Sequence, residues 1–107
     1  IPGPLDKTFL ESQPKRAILI RMLRNLMGVA GAKEDAESLL SYIETVLVID
    51  PDSAEDRWFR AVLRFQTGRI DEAIDDTTWL LKERPDGVDL QRVRQLLGVL
   101  QRTRDEK

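Results

Sequence analysis

The stretch Gly68-Arg69-Ile70-Asp71-Glu72-Ala73-Ile74-Asp75-Asp76 decides the fold of this 107-residue chain. A glycine releases the end of one helix, because a residue without a Cβ enters left-handed backbone with no steric penalty. Acids follow at once, where the partial positive charge of a helix N-terminus favours them. Ile70, Ala73 and Ile74, continued by Thr77, Leu80 and Leu81, recur at three- and four-residue spacing, which lines one face of a helix. Arg84-Pro85 then ends it, since proline lacks the amide hydrogen and disfavours helical backbone at the residue before it.

Upstream, Asp50-Pro51 stops a helix in the same way, and Pro51 lies 34 residues before Pro85. Between Pro51 and Gly68, Ser53 opens a third helix with Asp56 three residues on, a capping-box variant. That helix is apolar around most of its circumference. Burying unpaired guanidiniums would be prohibitive, so Trp58, Phe59, Ala61, Val62, Leu63 and Phe65 are expected to pack, leaving Arg57, Arg60 and Arg64 as a narrow polar stripe. Asp35 caps the second helix, with Ala36, Leu39, Leu40, Ile43, Val46 and Leu47 as its stripe. The first helix starts near Pro14, with Ser12 or Gln13 as cap, and carries Leu19, Leu23, Leu26 and Ala30 on one face. Asp86 caps a fifth, on which Val93, Leu96, Leu97 and Leu100 share a face. The opening Ile-Pro-Gly-Pro-Leu-Asp favours an extended tail over residues 1–13, and no segment has strand periodicity.

The expected fold is therefore all-α, an alpha-alpha superhelix over residues 14–104. It comprises a helix hairpin over about 20–53, a second over about 54–87, and a C-terminal capping helix over about 88–103. The 34-residue period, with Ala61, Gly68, Ala73 and Pro85 in place, resembles the tetratricopeptide repeat (TPR). The first hairpin matches less well, with Glu34 where the turn glycine is expected. The resemblance implies a protein-binding or scaffolding module. Because such solenoids need about three repeats, two hairpins and a cap call for a further packing partner, either another domain or a second copy meeting it at the exposed ends.

A narrower resemblance lies at the start. The phrase Leu10-Glu11-Ser12-Gln13-Pro14-Lys15-Arg16-Ala17-Ile18-Leu19-Ile20-Arg21-Met22-Leu23-Arg24-Asn25-Leu26 resembles the first repeat helix of SirB-type bacterial proteins, in which a transglutaminase-like domain precedes TPR repeats. Where such proteins have an Arg-Asp-Arg-Gly phrase, this chain has Trp58-Phe59-Arg60-Ala61, so only Arg60 carries over. The resemblance implies the C-terminal accessory region of a larger protein, with the Cys-His chemistry of the catalytic domain elsewhere, since the chain contains neither cysteine nor histidine.

Composition bounds the function. With 41% hydrophobic and 34% charged residues the chain suits a folded protein with charged helix surfaces rather than a disordered segment. Without cysteine or histidine, disulfides, thiolate ligands and the usual nucleophile–base pairs are excluded. Asp71, Glu72, Asp75 and Asp76 gather no base or calcium-loop pattern and are expected as acids early in a helix, so no catalytic residue, cofactor or metal is expected. A net charge of −2 and an acid-only block from Glu34 to Asp56 argue against nucleic acid, and no apolar run reaches the length of a membrane span. The expected setting is cytoplasmic.

The candidate binding residues are arginines. The first helix of each pair would present Arg21, Arg24 and Asn25, then Arg57, Arg60 and Arg64, then Arg94, with Arg60 and Arg94 at equivalent positions of successive units. Guanidiniums so aligned would grip an acidic or C-terminal peptide, or the protein's own upstream domain. A plainer reading pairs them with the acids of residues 34–56 or leaves them on a solvated face. Trp79, beside the apolar stripe of its helix, is either an exposed contact or packed beneath the fifth helix.

Overall fold

The computed structural model describes residues 12–106, and within them the chain is helical with no strand. Five helices follow in order: α1 (Gln13–Ala32), α2 (Ala36–Ile49), α3 (Ala54–Gln66), α4 (Ile70–Glu83) and α5 (Leu90–Asp105). Of the expected 1–13 tail, residues 1–11 lie outside the described residues, Ser12 is the N-cap of α1 and Gln13 its first residue. The chain divides into two compact units at Pro51/Asp52.

In the first unit α1 and α2 form a hairpin. Pro14 sits in the first turn of α1, where a missing amide hydrogen is no loss. Asp35 caps α2, accepting the Ser38 amide at 3.1 Å and the Ser38 hydroxyl at 2.6 Å. Leu40, Ile43, Val46, Leu47 and Ile49 of α2 are buried, as are Leu23 and Ala30 of α1. One expectation fails here. Leu26 faces water, because the lane of α1 turned toward shielded space runs through Leu19, Ile20, Leu23, Met27 and Ala30 instead.

In the second unit α4 packs against both α3 and α5. Ile70, Ala73 and Leu100 form its core cluster, with Phe65, Ile74 and Leu96 against it. Ser53 caps α3, accepting from the Asp56 amide, while its hydroxyl donates to the Asp56 carboxylate at 2.6 Å. The cap of α5 is Asp89, which accepts from the amides of Gln91 and Arg92, rather than the expected Asp86. Gly87 takes left-handed backbone at φ +83° after Pro85, and this turn delays the helix until Leu90. Phe59, expected to pack, is 37% exposed, because the helix turns its arginines rather than this ring toward α4.

The 34-residue period is written in the backbone. The α1–α2 turn is closed by amides of Lys33, Glu34 and Asp35 donating to carbonyls of Val29, Gly31 and Ala30. The α3–α4 turn is closed by Thr67, Gly68 and Arg69 donating to Leu63, Phe65 and Arg64, each donor and each acceptor 34 positions on. Glu34 and Gly68 both adopt positive φ, +55° and +79°. A glutamate thus holds the left-handed position at a steric cost of about 1 kcal/mol that glycine avoids.

Candidate functional site

Two places on the molecule combine charge or apolar surface in a way that invites a ligand, one in each unit. In the second unit, Arg57, Arg60 and Arg64 lie three and four residues apart, on one lane of α3 that faces α4. Asp76 stands opposite, 1% exposed. Arg60 binds it through both ends of its fork, Nε to Oδ2 at 3.0 Å and Nη2 to Oδ1 at 2.7 Å. Arg64 adds a hydrogen bond from Nη1 to Oδ2 at 2.8 Å and donates to the Glu72 carbonyl at 3.1 Å. Arg57 Nη1 lies 3.7 Å from Oδ1, and its guanidinium covers the Trp79 ring at 4.0 Å from the centroid.

The electrostatics follow from this crowding. Burial and then the Arg60 guanidinium pull the pKa of Arg57 below its ordinary value, while Asp76 opposes them. Guanidinium remains charged at neutral pH, so the cluster holds three cations on one buried carboxylate. With side chains only 12–16% exposed, these arginines are internal struts between α3 and α4. The expected polar stripe is therefore real but turned inward. The guanidiniums are paired, and their counter-ion comes from α4, outside the acid block of residues 34–56.

Asp76 is the residue sequence reasoning missed. Its signal was present: Ala73, Asp76, Thr77 and Leu80 share the i, i+3, i+4, i+7 spacing of a buried lane. An acid in such a lane demands a cation from the facing helix. Trp79, one of the alternatives left open, is half-buried beneath Arg57.

The first unit offers the second place. Ile18, Met22, Leu26 and Val29 follow at i, i+4, i+8 and i+11 on α1, each between 44% and 55% exposed. Arg21 and Asn25 stand exposed on one flank of this lane, and Arg24 lies exposed further round the helix. Arg94 is exposed on α5, in the other unit. The candidate arginines thus split between an inward group and an outward one.

Among the described residues no group of three or more His, Cys, Asp or Glu side chains is disposed to hold a metal ion. No described helix is long and apolar enough to cross a membrane. Open recesses among the described residues include one of about 310 Å3 beside Gly68–Glu72 and Arg104 and one of about 280 Å3 beside Ala17, Ile20 and Ile49.

A family profile described as Tetratricopeptide repeat matches residues 26–98, most of the chain. The chain belongs to the tetratricopeptide-repeat family. Helix hairpins whose turn hydrogen bonds recur every 34 residues are the structural counterpart of that match. TPR repeats generally mediate protein–protein interaction. Searches of curated proteins and of solved structures returned no significant match.

Proposed function

We propose that this TPR chain is a non-catalytic interaction module that binds a protein or peptide on the outer lane of α1. The observation that carries this reading is the row Ile18, Met22, Leu26 and Val29, four large apolar side chains left about half in water along one helix. Scattered apolar residues are ordinary on a surface, whereas a contiguous lane marks a contact. Within its unit α1 has one helical neighbour, α2, so its inner lane is satisfied and its outer lane is not. The repeat itself makes the same point. Asp56, Arg60 and Leu63 of α3 stand 34 positions after Met22, Leu26 and Val29, and they are shielded while their counterparts are exposed.

Arg21 and Asn25 belong to this reading as the polar rim of the lane, and Arg24, further round α1, stands outside it. Arg57, Arg60 and Arg64 act within it as supports that hold α3 on α4, and Arg94 is a separate outward charge. Neither nucleic acid nor a membrane is the partner in this reading, and cytoplasmic residence goes with it. A second version follows from the SirB-type resemblance over about residues 10–100, and in it the lane seats against a transglutaminase-like domain of the same polypeptide.

An array of helical peptides probed with the wild-type chain and with Met22→Glu/Leu26→Glu tests the site. The expected result is a set of binders lost in the variant, with unchanged circular dichroism. Binders that survive the double substitution would move the site elsewhere.

A further inference from the structure

We infer that the occupant of the α1 lane is an acidic amphipathic helix from another protein segment; this rests on the reading of the lane as a binding face and adds the chemistry of what fills it.

Shape comes first. From Ile18 to Val29 the lane rises about 16 Å, three helical turns, and its four side chains span an arc of about 80°. A straight, narrow apolar ridge of that size meets another helix, whose own i, i+4 and i+7 side chains fall into the gaps between Ile18, Met22, Leu26 and Val29. An extended peptide would gain only alternate contacts there, with no sheet edge to hydrogen-bond to. Met22, at the middle, is unbranched and adapts to the side chains set against it.

Charge then selects the helix. From Gln13 to Ala32, α1 contains Lys15, Arg16, Arg21 and Arg24 and not one acid. Arg21 flanks the lane on one side, and Lys15 lies one turn before Ile18 along its own line. Like-charge juxtaposition disfavours a partner with basic flanks, and a carboxylate row beside the apolar residues is favoured. A second copy of this chain is the wrong occupant for the same reason. Laying α1 on its twin would bring in no acid from either helix to answer Arg21. An anionic bilayer shares the charge but not the shape. Interfacial helices bury a broad apolar face rich in Trp, Phe and Leu, whereas the inner lane of α1 is already committed and its outer one is narrow and free of aromatic residues.

The test is fluorescence anisotropy with a designed 18-residue helix bearing a leucine lane flanked by glutamates, beside two versions in which the glutamates become glutamine or lysine. Each is titrated with the wild-type chain, Met22→Glu/Leu26→Glu and Arg21→Glu. Sedimentation of anionic lipid vesicles and analytical ultracentrifugation of the chain alone complete it. The glutamate helix should bind at least tenfold more tightly than the glutamine version, lose binding to Met22→Glu/Leu26→Glu, and show reversed preference, for the lysine version, on Arg21→Glu. Equal binding of the glutamate and glutamine helices, still abolished by Met22→Glu/Leu26→Glu, removes the acidic partner and keeps the lane. Peptide binding untouched by that double substitution removes both. Vesicle binding without peptide binding, or a dimer dissolved by the lane substitutions, assigns the face to lipid or to a second copy and overturns the inference.

Discussion

The two hairpins make the same turn and hold their helices together by opposite means. Counting 34 positions back, Arg57, Arg64 and Asp76 of the second hairpin correspond to Leu23, Ala30 and Tyr42 of the first, and Arg60 to Leu26, which faces water. Where one uses apolar side chains, with Leu23 and Ala30 buried, the other uses three guanidiniums on one carboxylate. The backbone hydrogen bonds of the two turns nonetheless recur position for position. The repeat therefore specifies the path of the chain, and the contents of the interface are free to vary provided they are self-consistent. An apolar pair is satisfied by exclusion of water alone, whereas an ionic one is satisfied only if every charge finds its partner.

The largest expected effect breaks the ionic side of that comparison. Asp76→Asn keeps the shape but removes the counter-charge of three crowded guanidiniums, and should cost about 3 kcal/mol in urea unfolding, the low end for a buried pair because the arginines keep some solvent. The fourfold exchange of Arg57→Leu, Arg60→Leu, Arg64→Ala and Asp76→Tyr installs the contents of the first hairpin in the second. It should cost about 1 kcal/mol or less, since replacing a whole buried ion cluster is often neutral. A loss as large as that of Asp76→Asn would show that the two interfaces are not interchangeable.

The turns give smaller effects of opposite sign. Gly68→Ala forces a Cβ into φ +79°, although nothing stands in its way, and should lower stability by about 1 kcal/mol. Glu34→Gly relieves the same strain in the first turn and should raise stability by about 0.5 kcal/mol after the added freedom of the unfolded chain is counted. Equal responses at both turns would deny that the first one is strained.

The smallest effect is titratable. The Ser38 side-chain hydrogen bond, then that from the Ser38 amide, lower the pKa of Asp35 below the ordinary value of 3.8. A carboxylate depressed on folding stabilises above its unfolded pKa, so this contribution is present at neutral pH and fades as pH falls through the lower folded value. Melting curves between about pH 6 and 2 should show a small acid-side loss that Ser38→Ala diminishes; an unchanged slope would remove the cap's role.

Helix order and period were legible because they rest on local rules. Pro51, Pro85, Gly68 and the spacing of Ile70, Ala73, Thr77 and Leu80 act within one or two turns of chain. The misplaced cap at Asp86 was a local miss, since both aspartates suit an N-terminus and only the left-handed turn at Gly87 selects Asp89. Leu26 and Asp76 were misread for a different reason. Each lies where two lanes of a helix are both plausible, and choosing the lane needs the neighbour. Arg21, Arg24 and Asn25 looked equivalent to Arg57, Arg60 and Arg64 as residue types, although one group faces water and the other a carboxylate.

By itself, the sequence determined that this chain is a set of helix hairpins with a 34-residue period, because breakers, caps and hydrophobic spacing act through nearest-neighbour backbone sterics. Which residues lie inside follows from the packing of one helix on another. It turned Arg57, Arg60 and Arg64 onto Asp76 and left Ile18, Met22, Leu26 and Val29 in water. The reason is that burial of charge and exposure of apolar surface are properties of a pair of facing elements, fixed by what stands opposite rather than by the residue itself.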